Sequence, residues 1–203
     1  MKNYIDKNNS LEKIKSGKEK IILELGCGNL RTIEHSITLD MVDLPTVDII
    51  CNLNEGFPFI PDDSVDEIHS SHFMEHIDDF GAMLKEIHRI LKHGGMSKIT
   101  VPHFSNPYFY SDYTHRNFFG LYSLSYFSKT LYFKRRVPTF YNDIDFRIVD
   151  VKYRFAANWK WKSGILKRFG KLINSNRTLM EYYEAHWCYK IPAREISYFI
   201  EKK

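Results

Sequence analysis

The chain has 203 residues, a net charge of +4, and 43% hydrophobic, 27% charged and 15% aromatic residues. That length suits one α/β domain with a covered core and is short for two typical domains. The modest charge falls below the footprint of a dedicated nucleic-acid binder. The three cysteines, Cys27, Cys51 and Cys188, form no CxxC pair and argue against a zinc knuckle or a disulfide framework.

Residues 1–19 read as a polar lead-in with one short helix. Lys20–Leu25 is a short apolar run closed by Gly26, the pattern of a strand buried on both faces. Similar runs follow at Ser36–Leu39, Val47–Cys51, Val65–Ser70 and Ser97–Val101. Phe80–Leu91 has apolar residues at helical spacing, and His93-Gly94-Gly95 is expected to stop that helix. Beyond Pro102 the texture changes. His103–Phe119 reads as a long loop, Leu121–Phe127 as a short helix, and Phe146–Phe155 and Glu195–Glu201 as strands. The order predicts one α/β domain: a Rossmann-like, mostly parallel sheet with helices on both faces and an antiparallel last strand. Within it, 20–104 form a cofactor-binding core and 105–203 a substrate-side loop, a lid segment and the last strands.

Six stretches carry the chemistry. Leu23-Glu24-Leu25-Gly26-Cys27-Gly28 runs a strand into a GxG turn with a carboxylate two residues ahead. Glycines there allow a tight turn and a ligand lying against the backbone. A dinucleotide fingerprint needs a third glycine, where this chain has Arg31. Ser36-Ile37-Thr38-Leu39-Asp40 is a strand ending in an acid, and Asp48-Ile49-Ile50-Cys51-Asn52-Leu53 is one ending in an amide. Phe57–Asp66, Ser70-Ser71-His72-Phe73-Met74-Glu75-His76 and Leu84–Val101 complete the series. Together these motifs resemble the S-adenosylmethionine-dependent methyltransferases of the Rossmann-like class over residues 20–104.

The resemblance implies a cofactor site at Glu24, Gly26, Cys27, Gly28, Asp40, Met41, Asn52, Leu53 and Ser71. It gives Asp40 the two ribose hydroxyls, which a carboxylate can accept bidentately. Asn52 stands where the family usually has Asp, and either can pair with the exocyclic amine of adenine. Only eleven residues separate Gly28 from Asp40, so the first crossover helix is expected to be very short or absent.

Seven of the nine histidines lie between His69 and His115. His72 and His76 are spaced i, i+4 and would share one face of a helix. His76 and His103 both follow strand ends, where ligands bind in open α/β sheets. The loop adds Asp112-Tyr113-Thr114-His115-Arg116. This stretch resembles a signature of small bacterial methyltransferases of cell-surface polysaccharide clusters. Three roles stand open for His76, His103, Asp112 and His115: a base with its hydrogen-bonding partners, a divalent metal site (Mn, Fe or Zn at His76, His103 and His115), or loop capping. His69, His88 and His93 are assigned to structure. Asn106-Pro107-Tyr108-Phe109 reads as a turn, with Tyr108 and Tyr110 as candidate pocket aromatics.

Asn158–Ile173 carries five basic residues and no acid, with Trp159, Trp161, Ile165, Leu166, Phe169, Leu172 and Ile173 near amphipathic spacing. It reads as a lid or subunit contact, a peripheral membrane helix over 159–173, or an RNA contact. The lead-in has no apolar core and no run reaches the roughly 20 residues of a membrane span, so a cytoplasmic protein with reduced thiols is expected. The resemblance implies an O-methyltransferase acting on a small or sugar-linked acceptor of capsule or surface-polysaccharide synthesis, with a phosphate-type oxygen as one option. The rivals are an RNA or protein methyltransferase, a non-catalytic cofactor-binding module and a nicotinamide enzyme.

Overall fold

The computed structural model describes residues 4–156 and 160–203. Its eight strands are β1 (Tyr4–Asp6), β2 (Ile22–Leu25), β3 (Ile37–Asp40), β4 (Ile49–Cys51), β5 (Val65–Ser71), β6 (Leu91–Pro102), β7 (Phe146–Arg154) and β8 (Glu195–Lys202). They form one sheet in the order β1-β4-β3-β2-β5-β6-β8-β7. The pairs β2–β3, β3–β4, β2–β5 and β5–β6 are parallel, while β8 runs antiparallel to both β6 and β7. The Rossmann-like reading of the sequence therefore holds, including the reversed last strand.

Burial explains the apolar runs. Leu23, Leu25, Leu39, Ile49, Ile68, Ile99 and Val101 are fully buried in the parallel strands. Each such side chain contributes about 1.5–3 kcal/mol of burial free energy. β7 instead alternates buried and exposed residues, as a strand covered on one face should.

Helix α1 (Ser10–Ser16) precedes the parallel core, α2 (Phe80–Ile90) joins β5 to β6, and α3 (Lys160–Ile173) and α4 (Arg177–His186) lie between β7 and β8. α2 buries Met83, Leu84, Ile87 and Ile90, and the Asp79 carboxylate accepts from Ala82 N at its start. No helix spans β2 to β3 among the described residues, as the eleven-residue spacing predicts.

Several expectations change. The helix over 80–91 stops at Ile90, and β6 begins at once with Leu91. His93-Gly94-Gly95 lies within an irregular stretch of β6, where the pairing jumps from Val65↔Leu91 to Glu67↔Met96. Gly94 has φ +77 there, which suits a residue without Cβ. His72 and His76 do not share a helix: His72 has φ +53 and Met74–His76 is one 3-10 turn. Residues 4–6 form the edge strand β1, antiparallel to β4. The 121–127 helix is a 3-10 turn over Ser123–Phe127, and α4 is an added element.

α3 packs Leu166, Phe169 and Ile173 against the core, with Phe169 stacked on Trp187. Ile165 and Leu172 remain exposed. Trp159 lies outside the described residues. Among the described residues, no helix is long and apolar enough to cross a membrane.

Candidate active site

Order reverses around β2: the chain moves from β2 through β3 to β4, then returns to β5 on the other side. Ligands bind in such a crevice, outside the carboxyl ends of the strands. Gly26–Gly28, Asp40, Asn52, His72 and His103 all lie at or just beyond those ends.

The turn after β2 is built by backbone and carboxylates. Gly26 has φ +66, and a Cβ there would lie 2.5 Å from the Phe73 ring. Gly28 has φ +54, and a Cβ there would meet nothing within 4 Å. The first glycine thus admits Phe73, and the second leaves an open cradle. Asp40 Oδ2 accepts from Gly28 N at 2.9 Å, and Oδ1 accepts from Val42 N at 3.0 Å. The acid at the end of β3 and the bend at residue 28 therefore lie together. Each Asp40 oxygen keeps a lone pair for a further donor.

Glu24 is tied into the loop that follows the turn. It is 4% exposed. Its carboxylate accepts from Thr32 N, Thr32 Oγ1, Ile33 N and Ser36 Oγ. Arg31 donates to Asp48 Oδ2 at 2.7 Å and to Ser36 O at 3.0 Å. These bonds hold the loop that stands in place of the first crossover helix. The Cys27 thiol is pushed up by burial and then by Asp40, so it stays protonated. Met41 is exposed, Leu53 is buried, and Ser71 is exposed. Exposed Asn52 accepts from Asn54 N and donates to Glu55 Oε1.

The second half begins after β5. His72 sits between Glu75 Oε1 and Glu195 Oε1, each 3.3 Å from a ring nitrogen. Glu195 first and Glu75 second raise its pKa to about 9. Reciprocally, His72 and then Arg154 hold Glu195 at about 2, against its burial. Glu75 is 1% exposed, and its Oε2 has no hydrogen-bond partner among the described residues.

The loop after β6 is stitched to that turn, since Arg116 N and Asn117 N both donate to Glu75 O. This brings His115 to His76, with ring centroids 4.9 Å apart. Thr114 Oγ1 lies 2.6 Å from Asp112 Oδ1 and 2.9 Å from His76 Nδ1. The carboxylate only accepts, so Thr114 donates to Asp112 and accepts from His76 Nδ1–H. The lone pair of His76 is then on Nε2. The Thr114 hydroxyl, and then its backbone N–H, hold the exposed Asp112 carboxyl below its ordinary range. His115 Nδ1–H donates to Phe109 O at 2.8 Å, which leaves its lone pair on Nε2 as well.

His103 is placed elsewhere. It is fully buried, with Nδ1 2.7 Å from Ser105 Oγ and Nε2 2.9 Å from Glu184 Oε2. Glu184 also accepts from Tyr153 OH at 2.6 Å and Leu121 N at 2.8 Å. The expected His76–His103 pairing gives way to His76–His115, because the Glu75 carbonyl draws in the 112–117 loop. Glu75 and Thr114 were not among the expected site residues. Their adjacency to His76 and His115 in sequence was the available signal.

Next to this cluster is a cavity of about 610 Å³, lined by Phe80, Phe119, Tyr126, Phe127, Lys85 and Asn117 among others. Asn117 Nδ2 also donates to Met74 O and Ile77 O, which ties the cavity wall to the turn that carries His76. Tyr108 and Tyr110 do not line this cavity.

The fold is that of the Rossmann-like methyltransferases. Residues 37–98 of the chain match the family model described as "Methyltransferase domain". The chain's fold is similar to that of a SAM-dependent methyltransferase from Archaeoglobus fulgidus, at 16% identity and TM-score 0.60, covering 97% of this chain and 94% of that one. A putative methyltransferase from Bacillus halodurans C-125 is similar at 14% identity and TM-score 0.54, with coverage of 96% and 99%. A methyltransferase from Mesorhizobium loti gives 13% identity and TM-score 0.51, covering 98% of each chain. No curated protein matches the sequence.

Proposed function

We propose that this methyltransferase acts on an oxygen of a small or sugar-linked acceptor, of the kind methylated in capsule or surface-polysaccharide synthesis. The observation that carries the reading is the Glu75, His76 and His115 cluster, set one strand away from the open turn at Gly28. Phe73 links the two halves, since it packs on Gly26 and belongs to the segment that leads to His76. The resemblance of Asp112–Arg116 to polysaccharide-cluster enzymes supports the acceptor class.

The open face of Gly28, the Asp40 carboxylate and exposed Asn52 suit the donor's adenosyl moiety: backbone for close approach, an acid for two hydroxyls, an amide for an amine. Bound there, the donor supplies a methyl group on a sulfonium, an already activated leaving group. The protein's contribution is alignment of acceptor and donor. The 610 Å³ cavity, with aromatic walls and Lys85, is suited to an anionic sugar-linked body. On this reading the Nε2 lone pairs of His76 and His115 serve the reacting oxygen. We assign His103 to structure, as the buried partner of Glu184 and Ser105.

The test uses tritium-labelled donor with a panel of sugar phosphates and nucleotide sugars, and with RNA and protein fractions in parallel. Label is expected in an O-methyl group of a small acceptor. His76→Ala should slow transfer by about 10²–10⁴-fold and leave affinity for S-adenosylhomocysteine within a few-fold. His103→Gln should be read out as lost thermal stability. Label confined to RNA, protein or an amine, or full transfer by His76→Ala, would contradict the assignment.

A further inference from the structure

Glu75, His76 and His115 offer more than two lone pairs. One ring nitrogen of each histidine and one carboxylate oxygen of Glu75 all lie within 4.8 Å of one another. Glu75 is 1% exposed and its Oε2 has no hydrogen-bond partner among the described residues. A buried, unpaired carboxylate oxygen is costly unless something satisfies it. The Nδ1 atoms of both rings are already engaged, which leaves Nε2 for a cation. His76 Nδ1 bonds to Thr114, which is held by Asp112, and His115 Nδ1 bonds to the Phe109 carbonyl. Metal-binding histidines are oriented in this way, by an oxygen acceptor on the nitrogen away from the metal. His115 Nε2 also lies 3.7 Å from Asp112 Oδ2, so a second carboxylate stands beside the cluster.

We propose that Glu75, His76 and His115 hold one divalent transition-metal cation, whose open positions take the acceptor's oxygen. This rests on the O-methylation reading and gives the site its acceptor chemistry. Two imidazoles and one carboxylate with open positions suit Mn, Fe or Zn. A cation there would anchor an anionic oxygen, or lower the pKa of a hydroxyl so that its proton passes to solvent water before attack. The ligand set replaces His103 of the sequence reading with Glu75.

The test is titration of EDTA-treated full-length protein with cobalt chloride, followed by its visible absorption, and with manganese chloride by calorimetry. One saturable cation per chain is expected. Glu75→Gln and His115→Gln should each weaken binding more than tenfold, and Thr114→Val by about tenfold through loss of the outer hydrogen bond. Unchanged S-adenosylhomocysteine affinity in the same variants shows that they are folded. No stoichiometric binding by the wild type, or equal affinity in Glu75→Gln and His115→Gln, would overturn the site. Full transfer after EDTA treatment, with His76→Ala still inactive, would overturn the cation and leave O-methylation standing. Failure of the wild type to bind S-adenosylhomocysteine would instead remove the methyltransferase reading, while the cobalt titration still decides the cation.

Discussion

Asp40→Ala should lower affinity for S-adenosylhomocysteine by at least about 100-fold, and calorimetry checks this directly. Asp40 ends β3 and bonds to Gly28 N at 2.9 Å. Its two oxygens are therefore fixed at the open turn, each with a lone pair to spare. Hydrogen bonds to a charged group contribute about 1.5–3 kcal/mol each, and about 1.4 kcal/mol is a factor of ten. Loss of two such bonds gives roughly 10²–10⁴-fold. Asp40→Asn keeps one acceptor oxygen for Gly28 N but loses the second, so it should lie between wild type and Asp40→Ala. Equal affinity for all three proteins would mean that the ribose lies elsewhere.

Glu24→Ala should lower the melting temperature by about 5–10 °C. Its carboxylate anchors Thr32, Ile33 and Ser36, in a loop with no helix of its own. Removing the acceptor strands donors, at about 1–3 kcal/mol for each one that stays buried. Ser36 is buried while Thr32 is exposed and can turn to water, so a total near 2–3 kcal/mol is expected. In a domain of this size about 1 kcal/mol corresponds to roughly 2–4 °C. Affinity for S-adenosylhomocysteine should fall too, because the same loop follows the Gly28 turn. A thermal scan unchanged from wild type would show that the loop is held by other contacts.

The parallel core was legible because its strands are short apolar runs ending at site residues. Leu23, Leu39, Ile49 and Ile68 are buried as their context predicts. The spacing from Gly28 to Asp40 also foretold the missing helix. The donors around Glu24 were not legible, because local sequence gives a carboxylate's position but not which donors reach it, and here they come from eight to twelve residues downstream. The surroundings of His103 were hidden for a similar reason. Its partner Glu184 lies 81 residues away on α4, a helix whose polar face hides its pattern and which buries only Met180 and Tyr183. The His72–His76 spacing suggested a helix, but His72 adopts φ +53 with its N–H on Thr100 O, and that long-range bond ends the regular structure. His76 and His115 are 39 positions apart, and the long-range bonds of the 112–117 loop to the 74–77 turn bring them together.

On our reading, the crevice between the Gly28 turn and Asp40 takes an adenosyl sulfonium donor. Parallel calorimetric titrations of the wild type with S-adenosylhomocysteine and with NADH test it most directly. The account predicts saturable, one-to-one binding of the first and no heat from the second. Binding of NADH alone, or of neither, would contradict it.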